Sequence, residues 1–179
     1  MGITLRSSKV SKEFKRTGVR RKAEPQSHLM MKLGLESDPQ TLSVVRATVE
    51  RAAEVLHFPE AESRAIVRSV DEALANILRH AYKGKGGLPI ELTCRRLHRA
   101  GKGSAPDGIE IILEDRGAAA DASKFKGRKL EELRPGGLGL HFIRQSMDQV
   151  EFCRKKGKNL LRLVKFQSPA ARASKPEGE

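Results

Sequence analysis

The sequence predicts an α+β fold, a two-layer α/β sandwich in which a mixed, mostly antiparallel sheet is covered on one face by three helices. Three observations lead there. Two long segments carry apolar residues at the 3-and-4 spacing of helices with a buried stripe. Five short segments alternate or run apolar as strands do. Their order is strand, two helices, two strands, a long loop, a helix and two strands, and three helices on one sheet face is the economical way to bury all of them. The 179 residues suffice for one domain with a sizeable core. With 38% hydrophobic residues, no Trp and one Tyr, that core must be aliphatic.

Taken in order, residues 1–27 are basic and without period, and are expected to form a disordered arm. Residues 28–35 (HLMMKLGL) suit a first strand. Asp38-Pro39 opens a helix, with Asp38 as the candidate cap, and Leu42, Val45, Val49, Ala52 and Leu56 mark its buried stripe. Phe58-Pro59 breaks the period, and Pro59 enters the first turn of a second helix running to about Tyr82. Its stripe is Ile66, Val70, Ala73, Ile77 and Ala81. The glycine-rich turn KGKGGLP leads to a strand at 90–98, a flexible connection at 99–108 and a strand at 109–114 that delivers Asp115 at its end. Residues 116–137 lack strong periodicity, with one helical turn expected near 129–133. A loop of that length in a compact domain is usually functional. A helix follows at 138–147, then strands at 148–154 and 159–166 joined by the turn KKGK. The domain is thus expected over 28–167, followed by a disordered tail at 168–179.

The formal net charge is +13, unevenly placed: eight Lys/Arg against two Glu in residues 1–27, a balanced tail, and the rest on the body. Such a charge invites a nucleic-acid reading. The chain lacks aromatic stacking platforms and any recognised nucleic-acid motif, so no direct nucleic-acid partner is expected. Cys94 and Cys153 have no metal-ligand spacing, and Cys94, in phase with Ile90 and Leu92, reads as a buried strand position. No apolar run is long enough to span a membrane, and the basic amino terminus has no signal-like apolar segment, so a cytoplasmic protein without membrane contact is expected.

Glu72 and Asn76, four residues apart on the second helix, stack on one face. A carboxylate and a carboxamide so placed can hold a metal-bound water, a hydroxyl or a phosphate, and equally form a solvated polar face. Two further elements follow: Asp115-Arg116-Gly117 at a strand end, and Gly136-Gly137-Leu138-Gly139-Leu140 leading into a helix. Each is weak alone, and in this order and spacing they are far more specific. No Walker-type GxxxxGK[ST] is present, so a P-loop mechanism is unsupported.

The three elements resemble the asparagine box and the two glycine boxes of the GHKL (Bergerat-fold) ATPase superfamily. EALANILRHAY with GGLGLHFIRQSMDQVEF is similar to its anti-sigma-factor serine/threonine-protein kinase branch, over roughly residues 28–166. The resemblance implies ATP and Mg2+ as cofactors. Asn76 would coordinate the metal through its side-chain oxygen, and Glu72 would act as general base on the attacking hydroxyl. Asp115 would accept a hydrogen bond from the adenine amino group, with Gly117 allowing close backbone approach. Gly136, Gly137, Leu138, Gly139 and Leu140 would offer backbone N–H groups or first-turn geometry to the phosphates. Arg79 and His80 lie on the nucleotide side of the helix, and His80 is equally a structural hydrogen-bonding residue. The chain departs from the family pattern after Gly117, where Ala118-Ala119-Ala120-Asp121 replaces further Gly or Pro, implying a stiffer hinge. It shows no phosphoacceptor hairpin or sensor segment, which argues against a complete sensor histidine kinase.

The function implied is an ATP-dependent anti-sigma factor and serine protein kinase that phosphorylates a small anti-sigma-factor antagonist in a partner switch. The alternative is a nucleotide-binding module that sequesters a partner without phosphotransfer. The partners implied are a sigma factor and the antagonist. Homodimers are common in that family, and no residue of this chain proves one.

Overall fold

The computed structural model describes residues 26–98, 107–119 and 138–168. Most of the expected arm, the 99–106 connection, the helical turn near 129–133, Gly136, Gly137 and the tail from 169 lie outside the described residues. The elements are β1 (Gln26–Glu36), α1 (Thr41–Val55), α2 (Glu60–Asn76), a π-helical turn (Ile77–Ala81), β2 (Pro89–His98), β3 (Gly108–Asp115), α3 (Leu138–Ser146), β4 (Gln149–Lys155) and β5 (Lys158–Phe166). The strands form one sheet in the order β1-β2-β3-β5-β4. Every described pairing is antiparallel, so the mixed component expected from the sequence is absent among them.

Local chemistry accounts for the element ends. α1 starts after Gln40, which makes no side-chain cap bond, so Asp38 is not the cap itself. Its carboxylate instead accepts the Gln40 N–H at 2.9 Å, and its carbonyl accepts the Thr41 hydroxyl at 2.7 Å, a turn that aims the chain into the helix. At the other end His57 takes a left-handed conformation (φ 56°). Phe58 N–H then reaches Ala53 O at 3.0 Å, and buried Phe58 seals the corner. β4 and β5 close through Lys156 and Gly157, both at positive φ, the backbone a two-residue hairpin requires. A bulge at Met30 bends β1, the edge strand.

The core lies between the helices and one sheet face. α1 contributes Val45, Val49 and Ala53, α2 contributes Ile66, Val70, Ala73 and Leu74, and α3 contributes Ile143. They meet Leu92, Cys94, Ile109, Ile111, Leu113 and Leu163 from the central strands. Each such Leu or Ile adds about 1.5–3 kcal/mol of burial free energy. The opposite sheet face is buried as well around Glu110, only 2% exposed, which Arg162 meets at 2.6 Å and Arg95 at 3.5 Å. No described helix is long and apolar enough to cross a membrane.

Cys94 is fully buried on β2, as its phase predicts. Burial, helped by the negative Glu110, pushes its thiol up to about 12. At pH 8 we therefore expect Cys94 to resist alkylation by iodoacetamide in the native protein and to react after unfolding in urea. Peptide mapping of alkylated Cys94 checks this.

Candidate functional site

The site begins where α2 changes pitch. The stripe of Ile66, Val70, Ala73 and Ile77 is buried as expected, and Glu72 and Asn76 stand half-buried beside it. After Asn76 the helix widens into the π turn, closed by the Tyr82 N–H on Ile77 O at 2.9 Å. Such one-residue insertions recur at functional sites because they redirect a carbonyl out of the ladder. Here Ala81 lands only half-buried, and its carbonyl accepts the Ala118 N–H at 2.9 Å, across the sheet layer. The sequence reads 60–82 as one continuous helix, because apolar spacing is insensitive to a single wide turn at its end.

Asp115 is buried at the end of β3. Its Oδ1 accepts the Gly117 N–H and the Asn159 side-chain amide, each at 2.8 Å. Asn159 also donates to Ala118 O at 3.0 Å, while its own oxygen accepts Arg154 at 2.5 Å. Arg154 reaches Gly117 O at 3.1 Å. Asp115 Oδ2 has no hydrogen-bond donor among the described residues. Burial raises the Asp115 pKa above the usual carboxylate range, and Asn159, the Gly117 N–H and Arg154 partly offset it. Gly117 is required sterically: a Cβ there would sit 2.5 Å from Ala81 O. Buried Tyr82 braces the same turn, donating to Pro89 O and accepting the Arg116 N–H at 3.1 Å. Asn159, Arg154 and Tyr82 escaped the sequence reading. The facing of Asp115 and Asn159 depends on β3–β5 register, which no local motif announces.

The third element approaches from α3. A Cβ on Gly139 would meet Glu72 Oε2 at 2.5 Å, so the Glu72 carboxylate rests directly on the first turn of α3. Arg68, one turn before Glu72, lies 4.1 Å over the Phe142 ring and fastens α2 to α3. Arg79 Nη2 stands 3.9 Å from Glu72 Oε2, and its Nε bonds Ala75 O at 3.2 Å. With Arg79 mostly exposed, that ion pair is weak. His80 is exposed and makes no hydrogen bond among the described residues. The Asn76 carboxamide likewise has no partner among them. Leu138 opens α3, and Gly139 and Leu140 are half-buried within it. The structure thus brings Glu72, Arg79 and Gly139 together at one end. It ties Asp115, Gly117 and Asn159 together at the other, with Asn76 on the helix between them.

One end offers an oriented carboxylate acceptor in a buried setting, suited to a ligand's N–H donor. The other offers a carboxylate at a helix start, where backbone N–H groups favour negative charge. The chain is similar to known proteins over most of its length. The histidine kinase-like ATPase domain matches residues 35–165. Serine-protein kinase RsbW of Bacillus pumilus (strain SAFR-032) is 28% identical over 130 residues, covering 68% of this chain and 76% of that protein. RsbW of Halalkalibacterium halodurans is 30% identical over 133 residues, covering 70% and 75%. Serine/threonine-protein kinase BtrW of Bordetella bronchiseptica is 32% identical over 103 residues, covering 55% and 67%.

The two glycines predict unequal responses. Gly117→Ala drives a methyl into the backbone carbonyl of Ala81, which cannot rotate away, and should cost about 1–3 kcal/mol. Gly139→Ala meets the far end of the Glu72 side chain, which swings aside, so its stability should change by less than about 1 kcal/mol. Urea unfolding of the two variants checks the order.

Proposed function

The chain belongs to the histidine kinase-like ATPase domain family, and from that membership we propose that it is a serine/threonine protein kinase using ATP. Its substrate is a serine of a small anti-sigma-factor antagonist. It holds a sigma factor while the antagonist is phosphorylated. The observation that carries the reading is the Glu72 carboxylate resting on the first turn of α3, where a transferring phosphoryl group would lie. The kinase names of its relatives support the same reaction class.

Each residue then has a physical role. Asp115 Oδ2, held by Asn159 and Gly117, accepts the adenine amino group and so selects ATP over GTP. Gly117 keeps the wall beside the base free of a Cβ. The N–H groups of Leu138, Gly139 and Leu140, at the opening of α3, receive the phosphates. Arg79 and His80, both exposed at the helix end, are assigned to contact that charge. For Mg2+ the donor set fits: Asn76 presents an unpartnered carboxamide one turn from Glu72, and this cation keeps most ligands as phosphate and water oxygens. When bound, Mg2+ would offset charge on the phosphates. Glu72 takes the proton from the substrate serine hydroxyl as its oxygen forms the bond to the γ-phosphorus. The bond to the β,γ-bridging oxygen breaks, and ADP leaves.

Two outcomes follow. Glu72→Gln should lower phosphotransfer about 10²–10⁴-fold while ADP affinity stays within a few-fold, measured with labelled ATP and a cognate antagonist and by calorimetry. Undiminished phosphorylation by this variant removes Glu72 from catalysis, and no transfer by the native protein leaves nucleotide-gated sequestration.

Asp115→Asn should abolish ADP binding yet leave the protein at least as stable at pH 7. Because burial raises this carboxyl's native pKa, the folded state binds its proton more tightly than the unfolded chain. Its ionisation therefore lowers stability as pH rises from the ordinary carboxylate value of about 3.9 through the raised native one. The advantage of Asn at pH 7 should shrink on acidification to about pH 4, read from melting curves.

A further inference from the structure

Beside the Asp115 turn, with Gly117 in its wall, lies an open cleft of about 530 Å³. Its walls are Ala81, Tyr82, Leu88, Pro89 and Gly117, and its charged groups are Lys83, Lys85 and Arg116. The volume falls in the range of small-ligand and peptide sites. All three charges are positive, and no carboxylate lines the cleft. None of the three side chains makes an ion pair or hydrogen bond among the described residues, whereas most other cations of the sheet are paired. The acids of this region are sorted to the other side of Arg116. There Glu36, Glu91 and Glu114 border a second cleft, with Glu114 held by Lys158 and Glu91 by Lys32.

The backbone that carries the lysines is fixed. Lys83 and Gly84 both take positive φ (54° and 75°). Gly84 N–H bonds Leu78 O at 2.9 Å, and Lys85 N–H bonds Tyr82 O at 3.0 Å. Ser37 pins the loop from the neighbouring strand end: its hydroxyl donates to Lys85 O at 2.8 Å and accepts the Leu88 N–H at 2.9 Å. Ser37 N–H completes the clasp on Leu88 O at 2.8 Å. A loop of pure tether function has no need of five such bonds. Here they preset the Lys83 and Lys85 positions, so a ligand loses less entropy in ordering them.

We propose that this cleft docks an acidic peptide segment of a protein partner. Its carboxylates pair with Lys83, Lys85 and Arg116, and an apolar side chain rests on Leu88 and Pro89. A bare anion would leave those apolar walls uncovered, which is why a peptide is the better-fitting occupant. The cleft shares Gly117 with the nucleotide site assigned above, whereas Lys83, Lys85 and Arg116 have no part in that assignment, and the docking stands whether or not transfer occurs.

The test is fluorescence anisotropy of the full-length protein with a fluorescein-labelled octapeptide alternating Glu and Leu, at about 150 mM salt, where surface fields are screened beyond about 8 Å. The native protein should bind it and not the Lys/Leu counterpart. Lys83→Ala/Lys85→Ala/Arg116→Ala should weaken binding about tenfold, given modest gains from each exposed charge contact. A charge-matched control, Arg51→Ala/Arg64→Ala/Lys156→Ala, should stay within about twofold. If the triple variant melts early, Lys83→Ala/Lys85→Ala, both exposed, decides with a smaller expected loss in the same direction. Equal loss in cleft and control variants, no binding by the native protein, or displacement of the peptide by equimolar inorganic phosphate would each overturn the proposal.

Discussion

The Ala81 carbonyl accepts the Ala118 N–H at 2.9 Å, and this bond joins the helix layer to the sheet layer where Gly117 leaves room for it. That carbonyl is free because the helix ends there: Ala81 closes the π turn, and the last carbonyls of a helix have no partner within it. Once the bond forms, the end of α2 and the end of β3 have a fixed separation. Glu72 and Asn76 on the helix then stand at a fixed distance from Asp115 on the strand. A side chain at 117 would push the layers apart and loosen both ends together, because packed interfaces shift as units.

β3 carries two buried carboxylates five residues apart, and the environments divide their roles. Glu110 is met by Arg95 and Arg162, so its charge is balanced inside the sheet. Asp115 receives direct hydrogen bonds from neutral donors only, the Gly117 N–H and Asn159, with Arg154 acting through Asn159. It keeps one oxygen without a donor. Burial is costly to this ionised carboxylate, and its raised pKa registers that cost. Such expense is expected where a ligand is to complete the hydrogen bonding.

At the other end, α2 and α3 meet through two contacts of different character. Arg68 on the Phe142 ring orients the helices, and Gly139 admits the Glu72 carboxylate into the first turn of α3. The glycine is there to make space rather than to supply an unusual φ. A carboxylate at a helix start is favourably placed. The same location makes it a neighbour of any phosphate that the helix start binds.

Sequence alone determined the layer architecture, because apolar spacing of 3 and 4 in α1 and α2 and alternation in the strands follow directly from which faces must be buried. It also determined which residues share α2, since Glu72 and Asn76 are local in the chain, and it placed Asp115 at a strand end. Tertiary structure alone decided the rest. The π turn left no mark on apolar periodicity, since it inserts at the end of the stripe. The Asn159–Arg154 clamp depends on β5 lying beside β3 in one register, a pairing 44 residues distant in sequence between Asp115 and Asn159. The cleft of Lys83, Lys85 and Arg116 joins a loop to a turn over 30 residues away, and chain pattern reads only as a glycine-rich turn there. Local periodicity specifies faces; long-range register and close backbone approach specify sites, and those depend on the packed fold as a whole.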